Sequence, residues 1–538
     1  MRVVLLSFAI GMGIAVAPGV GAVDLPPPLK EADFRPLRFE EAQLGQLLFY
    51  DPLLSGNKEV ACATCHHPAF GTGDGLSLSL GDGGMGLGVN RVVDPQNLPE
   101  QRVPRNAQPL FNLGAKQMTV LFHDGRVEVD ATRPSGLRTP LEEEMVGGFA
   151  SIISAQTMFP VLSGDEMAGH YSENEISQAV RRGTLTGKDG AWDLIAQRVA
   201  AVPDYAARFG AVYPDLAGPQ DIGFTDISNA IAAFMEFEWR SDTAPFDALL
   251  AGEASFSGAQ KRGLELFYGA AGCAACHSGP LLTDFEFHAM GQPQLGTGKA
   301  ARFERHARDE GRFRVTGREA DRFAFRTPSL RNVALTGPWG HSGAYGDLAS
   351  FVAAHADPRT ALESYDRSGV VLPEFEAADW RIMDDPAEVA AISAAVAVAP
   401  VALGAQDVAD IIAFLNSLTD PAMTAGRLGV PKAVPSGLPV PNPSRRTLTA
   451  TFQHVMMAEP AGGRPVLPGV AAGQSVLASR LGCRDCNYPG QTTLLANEIF
   501  AEEIDDFIVD FIKKQTPVKS AWILRWLTNF GGNAVGEG

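Results

Sequence analysis

The sequence feature that most constrains this chain is the motif Cys-x-x-Cys-His, which occurs twice, at residues 62–66 and 273–277. Two cysteines three positions apart lie on one helical turn, so each thiol can form a thioether with a porphyrin vinyl group while the imidazole that follows lies beneath the iron. This spacing is typical of covalent haem c attachment. The predicted attachment and axial residues are Cys62, Cys65 and His66 at the first site and Cys273, Cys276 and His277 at the second.

A zinc site and a redox dithiol are the alternatives for these cysteines. Zinc-binding pairs usually lie about 15 to 20 residues apart, far closer than these two motifs, and two accidental copies of the motif in one chain are negligible. A third pair, Cys483 and Cys486, is followed by Asn487 and therefore lacks the axial histidine. For that pair the sequence leaves a disulfide, a metal site and a degenerate haem site open.

Each motif follows a segment whose apolar residues recur at helical spacing, residues 39–49 before the first and 259–267 before the second, which indicates an internal duplication. Between such segments the chain is rich in Gly and Pro, and few stretches alternate with the period of a strand. We therefore predict a mainly α fold of two haem domains with long loops, at residues 23–245 and 246–438. A Pro-rich stretch then predicts a linker, which together with a small C-terminal appendage forms residues 439–538.

The first residues have the features of a secretory signal: a charged start, an apolar run from Val3 to Ala17, and small residues that end at Ala22. We predict cleavage after Ala22, which makes residues 1–22 a signal peptide and the mature protein periplasmic. An uncleaved anchor is the alternative, but the run is short for a membrane span and contains glycines. No later apolar run is long enough to cross a bilayer, so no stable membrane span is expected in the mature protein.

The charge balance of the chain bears on its partners. It carries 44 Lys and Arg against 62 Asp and Glu, a formal net charge of -18. A surface of this sign repels a phosphate backbone, so nucleic-acid binding is not expected. The same field would attract a basic or neutral electron-donor protein, although a negative net charge also serves solubility.

Residues around the two haem motifs form further patterns. Residues 44–56 lead into the first motif, residues 279–288 follow the second, and residues 326–333 and 335–343 read Arg-Thr-Pro-Ser-Leu-Arg-Asn-Val and Leu-Thr-Gly-Pro-Trp-Gly-His-Ser-Gly. With the paired haem sites, these resemble the bacterial di-haem cytochrome c peroxidase and MauG superfamily over residues 39–438. The resemblance implies two cytochrome c-like haem domains and a haem-dependent oxidoreductase that reacts with hydrogen peroxide.

In that family a glutamine, a proline and a glutamate supply the distal pocket of the N-terminal haem, which reacts with peroxide. Gln156, Pro160 and Glu166 match their spacing without a gap. Cleavage of the peroxide bond requires a proton to move from the inner to the outer oxygen, and a carboxylate beside the iron can move it. Glu166 is therefore the candidate acid and base, and the amide of Gln156 can orient peroxide by hydrogen bonding.

Family members that need reductive activation carry a histidine in the loop after the first motif, where it caps the reactive iron. This chain has no histidine between His67 and His123. Asp82 stands about where that histidine is expected, and the loop from Gly71 to Gly88 offers only Met85 as a soft ligand. The resemblance therefore implies a first iron with an open coordination position. His67 is expected at the surface or behind the haem ligand, and His123, where relatives usually have tryptophan, is an alternative iron ligand.

The second haem of the family is six-coordinate and relays electrons, and its distal ligand follows the histidine of a Pro-x-x-His-x-Gly motif at a fixed interval of fourteen residues. Counted from His341, that interval ends at His355, where the peroxidases place methionine and the tryptophan-oxidising relatives place tyrosine. Histidine there predicts bis-imidazole ligation and a lowered reduction potential. A surface position for His355, with Tyr365 or Met290 as the ligand, is the alternative.

Relatives also hold a calcium ion between the haems, through an asparagine side chain and two carbonyl oxygens of a Thr-x-Pro turn. The matching residues are Asn106, Thr336 and Pro338. Oxygen ligands suit this hard cation, although three protein ligands leave several positions to water. MauG-type relatives have a tryptophan two residues before the second motif, where this chain has Ala271, so that a relay between the irons would need another residue such as Trp339.

These features lead to one main functional expectation and two alternatives. The main one is reduction of hydrogen peroxide, with electrons passing from a small cytochrome c or cupredoxin through the His277 haem to the His66 haem. A MauG-type enzyme that oxidises side chains of a partner protein is the first alternative, favoured by the open first haem. A non-catalytic di-haem electron carrier or sensor is the second, and it would follow if Glu166 did not face the iron.

Overall fold

A computed structural model describes residues 25–299, 304–424 and 426–442 of the chain. The predicted signal peptide, the pair Cys483 and Cys486, and nearly all of the predicted appendage lie outside the described residues. Within them most of the regular structure is helical, which confirms the predicted mainly α fold. None of the helices described is long and apolar enough to span a membrane.

The helices are short and are separated by long loops. The α-helices of the described residues are α1 (Phe39–Phe49), α2 (Cys62–Cys65), α3 (Ile152–Thr157), α4 (Glu175–Arg181), α5 (Ala191–Ala200), α6 (Pro203–Val212), α7 (Phe224–Glu238), α8 (Pro245–Leu250), α9 (Gly258–Tyr268), α10 (Phe313–Thr316), α11 (Leu348–Ala356), α12 (Pro358–Glu363), α13 (Pro386–Ala395) and α14 (Ala405–Asn416).

The strands are two or three residues long and pair antiparallel. Those of the described residues are β1 (Gly84–Met85), β2 (Val92–Val93), β3 (Val120–Leu121), β4 (Val127–Val129), β5 (Leu137–Arg138), β6 (Phe287–His288) and β7 (Phe325–Arg326). They form three small sheets with the orders β1-β2, β3-β4-β5 and β6-β7. The sheets are small and connect loops. The core of each half of the chain, meaning the predicted domains at residues 23–245 and 246–438, is helical.

The helix before each haem motif crosses a later helix of the same half. α1 packs against α7, and α9 packs against α14. A glycine lies at each crossing: a Cβ atom on Gly45 would lie 1.8 Å from the carbonyl oxygen of Ala230, and one on Gly263 would lie 1.9 Å from that of Asp410. Only a residue without a Cβ lets the two backbones approach this closely. The duplication seen in the sequence therefore extends to the same helix crossing in both halves.

Each half has its own hydrophobic core. In the first, Phe49 packs against Phe234 and Trp239 with ring centroids 5.2 Å apart in both pairs. In the second, Phe267 packs against Phe414 with ring centroids 4.9 Å apart. Aromatic side chains bury the most apolar surface per residue, so these clusters hold the crossed helices together.

The segment after α14 departs from the domain order that the sequence suggests. Residues up to 438 are predicted to belong to the second domain, yet Met423 and Val434 are buried in the core of the first half. The side-chain amide of Gln46 donates hydrogen bonds to the carbonyl oxygens of Leu428 and Gly429, at 3.1 and 2.8 Å. This segment therefore folds back onto α1, where its apolar residues cover part of the first core.

Buried ion pairs join the two halves. Arg102 Nε lies 2.9 Å from Asp379 Oδ1, and Arg105 Nη2 lies 2.6 Å from Asp309 Oδ1. Arg105 also reaches Asp124 Oδ2, at 3.1 Å. A buried charge that loses its partner is strongly destabilising, so these pairs fix the position of one half against the other.

Candidate haem sites

The first attachment motif lies on α2, whose single turn holds both cysteines, and the backbone N–H of His66 donates to Cys62 O at 2.9 Å. His66 Nδ1 lies 3.0 Å from the carbonyl oxygen of Thr72. A proton on Nδ1 satisfies this carbonyl and leaves Nε2 with the lone pair that a metal binds. The thiols of Cys62 and Cys65 form no disulfide, so both remain available for thioethers.

The second motif repeats this arrangement on the 3-10 turn Cys273–Ala275. The backbone N–H of His277 donates to Cys273 O at 2.9 Å, and His277 Nδ1 lies 3.1 Å from Leu282 O. Burial lowers the pKa of His277 to about 4, and it also lowers the pKa of His66. Both imidazoles are therefore neutral near pH 7, as a metal ligand must be.

The surroundings of these histidines fit a haem at each site. His66, His277 and His355 keep accessible side-chain surface, yet enough protein surrounds each of them to lower its pKa through desolvation. A histidine and two thiols that form no disulfide, all within one short segment, are the donors that a covalently attached haem requires.

The predicted distal residues follow one another on three short turns. Gln156 lies on α3, Pro160 begins the 3-10 turn Pro160–Leu162, and Glu166 lies on the π-helical turn Gly164–Ala168. The carbonyl oxygen of Ser163 accepts from the backbone N–H of Glu166, at 3.2 Å. Pro160 and Glu166 line a cavity of about 550 Å³. Gln156 is buried, and its Oε1 has no hydrogen-bond partner among the described residues.

Glu166 is electrostatically coupled to the first attachment site. Burial, with smaller contributions from the negative charges of Asp74 and Glu166, raises the pKa of the Cys65 thiol to about 12. Burial also raises the pKa of Glu166 itself, against the positive charges of Lys299 and Arg126, which lower it.

The loop after the first motif contains two candidate iron ligands, Asp82 and Met85. Asp82 is fully buried and accepts hydrogen bonds from the side-chain amides of Asn57 and Asn97, at 3.0 and 3.1 Å. His170 Nε2 lies 3.5 Å from Asp82 Oδ2. Met85 on β1 is 43% exposed, so its thioether lies at the protein surface.

His67 and His123 occupy different environments. His67 is buried, its Nδ1 accepts from Ala69 N at 3.1 Å, and its ring lies edge-on to that of Tyr50. The predicted surface position is therefore wrong, and the position behind the haem ligand stays a prediction. His123 lies at the interface between the halves, where its Nε2 is 3.4 Å from the carbonyl oxygen of Asn106. Burial and the charge of Arg105 lower its pKa to about 3.

His355 lies on α11. Its Nδ1 lies 2.9 Å from the carbonyl oxygen of Phe351, which leaves Nε2 for a metal. After burial and a backbone hydrogen bond, the nearby His355 is the next influence on the pKa of His277, which it lowers. The phenol of Tyr365, an alternative ligand, donates to Ala344 O at 2.5 Å. The axial role of His355 stays a prediction that this geometry suits.

The predicted calcium ligands lie beside the interface between the halves. Asn106 Nδ2 donates to Leu76 O at 2.8 Å, and Thr336 Oγ1 donates to Val333 O at 3.1 Å. The peptide bond between Gly337 and Pro338 is cis. These contacts do not involve the three predicted ligand oxygens, and the calcium site stays a prediction.

The sequence analysis missed Lys299, which lines the same cavity as Glu166 but comes from the other half of the chain. No motif surrounds it. The signal that the sequence carries is the pair Gly296 and Gly298, whose positive φ angles of 72° and 64° make a tight loop just before the lysine.

Two haem c attachment motifs, each following a helix of a crossed pair, together with a cavity lined by a carboxylate, define a di-haem c-type oxidoreductase. The family model described as di-haem cytochrome c peroxidase matches residues 39–255. The chain is 32% identical to the methylamine utilization protein MauG of Methylorubrum extorquens over 317 residues, which cover 58% of this chain and 67% of that protein. It is 31% identical to the cytochrome-c peroxidase IdrP1 of Denitromonas iodatirespirans over 351 residues, 61% of this chain and 75% of that one.

Among solved structures, the diheme peroxidase BthA from Burkholderia thailandensis matches with a TM-score of 0.51 and 20% identity, over 78% of this chain and 97% of that one. This likeness concerns the fold. The sequence relatives and the family model together show that the chain belongs to the di-haem cytochrome c peroxidase and MauG family of haem oxidoreductases.

Proposed function

We propose that this chain reduces hydrogen peroxide to water with electrons from a small cytochrome c or cupredoxin. One peroxide takes up two electrons and two protons and yields two waters. Electrons would enter at the haem held by His277 and be used at the haem held by His66. The observation that carries the proposal is a half-buried carboxylate, Glu166, that lines a cavity and acts electrostatically on Cys65.

Cys62, Cys65 and His66 would hold the first haem, whose iron supplies the coordination site and the electrons for cleavage of the oxygen–oxygen bond. Glu166 accepts a proton from one peroxide oxygen and returns it to the other, which leaves as water. Burial raises the pKa of this carboxyl group toward neutral pH, where an acid and base is most effective.

Gln156 and Pro160 would complete the distal wall. The buried amide of Gln156 has an acceptor oxygen without a partner and an NH₂ group, so it can hydrogen-bond peroxide at both oxygens. Pro160 has no backbone N–H, and it therefore offers peroxide an apolar contact that does not compete for these hydrogen bonds.

At the second site, Cys273 and Cys276 would attach the haem, and His277 and His355 would hold its iron from both sides. Two neutral imidazoles favour a lower reduction potential than an imidazole and a thioether. With both faces occupied, this site would not bind peroxide and would serve as the relay for incoming electrons.

The proposal includes export and a bridging cation. Residues 1–22 would be removed as a signal peptide and the mature protein would act in the periplasm, where haem c is attached. A calcium ion between the haems would be held by Asn106 and by the carbonyl oxygens of Thr336 and Pro338. N-terminal sequencing and metal analysis of the purified holoprotein test these two points.

Steady-state turnover with hydrogen peroxide and a reduced small cytochrome tests the main proposal. Glu166→Gln is expected to lower kcat/KM for peroxide by about 10²- to 10⁴-fold with both haems retained, because the variant cannot move a proton. Glu142→Gln is the matched control, since Glu142 lines the same cavity from an exposed position. Equal turnover in both variants would remove Glu166 from the reaction.

A MauG-type activity is the second candidate. It is favoured by the loop after the first motif, where Asp82 is tied to Asn57 and Asn97 and Met85 lies at the surface, so the first iron needs no reductive opening. Peroxide-dependent oxidation of a side chain in a partner protein, without turnover of a reduced cytochrome, would select this candidate. Absence of both reactions would select an electron carrier or sensor.

A further inference from the structure

We propose that Lys299 is a positioning residue for the peroxide reaction: its ammonium group keeps the carboxylate of Glu166 ionised and ready to accept a proton. The inference rests on the proposed function, since it concerns the acid and base which that function requires. Lys299 belongs to the second half of the chain and Glu166 to the first, and both line the same cavity of about 550 Å³.

The backbone around Lys299 is held in place. A Cβ atom on Gly298 would lie 1.9 Å from the carbonyl oxygen of Ala307, so the two backbone segments of this loop are in close contact. Lys299 N also donates a hydrogen bond to Arg308 O at 3.3 Å. Next to the loop, Gln294 exchanges two hydrogen bonds with the backbone of Asp309, at 2.8 and 2.9 Å. The backbone position of Lys299 is therefore set by the fold of the second half.

Lys299 differs from the other cations of the cavity because it has no carboxylate partner of its own. The arginines that line the cavity are each paired with a carboxylate other than Glu166. These pairs are Arg126 with Asp124, Arg138 with Glu128 and Arg314 with Glu304, at 2.9, 3.4 and 2.8 Å. No carboxylate of the described residues forms an ion pair with Lys299, so its field is free to act on Glu166.

The charges that face Lys299 keep it titratable. Burial and the cations Arg126 and Arg105 lower its pKa to about 8, and the anions Glu166 and Asp124 oppose this shift. Below that pH the side chain is cationic.

Among the charges that lower the pKa of Glu166, that of Lys299 has the largest effect. Burial raises the pKa of Glu166 and the charge of Asp165 raises it further, whereas Lys299 is the strongest of the influences that lower it, ahead of Arg126 and a hydrogen bond from Ser163. Without the ammonium group the carboxyl group would hold its proton to higher pH. A protonated carboxyl group cannot accept a proton from peroxide.

The test uses the holoprotein with Lys299→Met, Lys299→Arg, which keeps the charge, and Lys188→Met, a control at an exposed lysine. In Lys299→Met the acid limb of kcat/KM for peroxide is expected to move to higher pH by about one unit or more, because an opposite charge nearby shifts a carboxyl pKa by about 1 to 3 units. Lys299→Arg and Lys188→Met are expected to keep the limb in place.

A second readout does not depend on activity. Infrared difference titration of the resting holoprotein gives the pKa of Glu166 directly, with its carboxyl band assigned by its loss in Glu166→Gln. We expect the same upward shift in Lys299→Met alone. If that variant does not retain both haems, Lys299→Gln supplies the neutral side chain.

An infrared pKa of Glu166 that is the same in wild type and the neutral variant would overturn the inference, whatever the turnover. An equal shift in Lys299→Arg would also overturn it, since shape and not charge would then be responsible. If the infrared pKa shifts while wild type shows no peroxide turnover, the proposed function fails and the link between Lys299 and Glu166 stands.

Discussion

The two candidate haem sites share the way their motif histidine is oriented and differ in the residues proposed for the other side of the haem. Each motif histidine is oriented by a backbone carbonyl, Thr72 O for His66 and Leu282 O for His277. For the other side we propose Glu166, which lines a cavity, at the first site and His355 at the second.

The difference shows how a duplicated scaffold acquires two functions. The crossed helices with Gly45 and Gly263 and the attachment turns are the shared part, and they hold an iron in either half. The proposed distal residues come from short turns in the first half and from α11 in the second. Under the proposed function, the different roles of the two haems would therefore be set by these segments and not by the shared scaffold.

The largest effect is expected from removing one attachment site at a time. Cys62→Ala with Cys65→Ala is expected to leave one haem per chain and no peroxide reaction, because the site facing Glu166 is lost. Cys273→Ala with Cys276→Ala is also expected to leave one haem, but to abolish only turnover driven by the donor. Haem content per chain and single-turnover peroxide kinetics measure both outcomes.

The third cysteine pair supplies the control for that experiment. Cys483→Ala with Cys486→Ala is expected to retain two haems per chain, since no histidine follows Cys486. A loss of haem in this variant, or identical behaviour of the two attachment variants, would contradict the proposal that the two haem sites have different roles.

The second prediction exchanges the distal ligand of the second haem. His355→Met is expected to raise the potential of that haem by a substantial part of the roughly 0.8 V that axial ligands span, because a thioether stabilises reduced iron better than an imidazole does. Redox titration of the holoprotein checks it, with the first haem as internal control. An unchanged second potential would mean that His355 does not bind the iron.

The sequence predicts the parts of this architecture that depend on residues close together in the chain. The attachment turns and the helices before them are local, and the sequence analysis predicts them from spacing alone. The distal role of Gln156 and Glu166 needed the family resemblance, because a loop carboxylate by itself is an ordinary surface residue. The buried position of His67 depends on its contact with Tyr50, which no local pattern reveals.

Contacts between distant segments are the part that the sequence analysis could not supply. The pairing of Arg105 with Asp309 and the return of Met423 to the first core join residues that are far apart in the chain. Lys299 reaches the cavity of the other half for the same reason. Such contacts follow from the packing of whole halves, which charge and hydropathy patterns do not encode.

The third prediction tests whether the shared scaffold is equally sensitive in both halves. Gly45→Ala and Gly263→Ala each force a Cβ against a backbone carbonyl, and each is expected to destabilise the holoprotein by about 3 kcal/mol. Gly210→Ala on α6 is the control, because a Cβ there meets nothing within 4 Å and is expected to add about 1 kcal/mol of stability. Thermal unfolding that separates Gly45→Ala from Gly263→Ala by more than the control effect would show that the two crossings are not equivalent.

The smallest effect concerns the interface that joins the halves. Burial alone would raise the pKa of Asp309, but the charge and hydrogen bonds of Arg105 outweigh it and hold the pKa at about 2, below the ordinary 3.8. A carboxyl group with a depressed folded-state pKa contributes stability above its unfolded pKa, and this is lost as pH falls through the folded value. About 2 kcal/mol is therefore expected to disappear between about pH 4 and pH 2.

The neighbouring His341 allows this loss to be separated from other acid effects. Burial lowers the pKa of His341 to about 4, so its share of the stability is lost between its unfolded pKa of about 6.5 and pH 4, as the unfolded chain takes up the proton first. Asp309→Asn is expected to remove the loss of stability that Asp309 contributes below pH 4. Because the charge of Asp309 raises the pKa of His341, the variant is also expected to extend the His341 loss to somewhat lower pH. Denaturant unfolding across the two windows measures both slopes, and a variant whose profile changes only above pH 4 would exclude Asp309 as the acid-sensitive group of the interface.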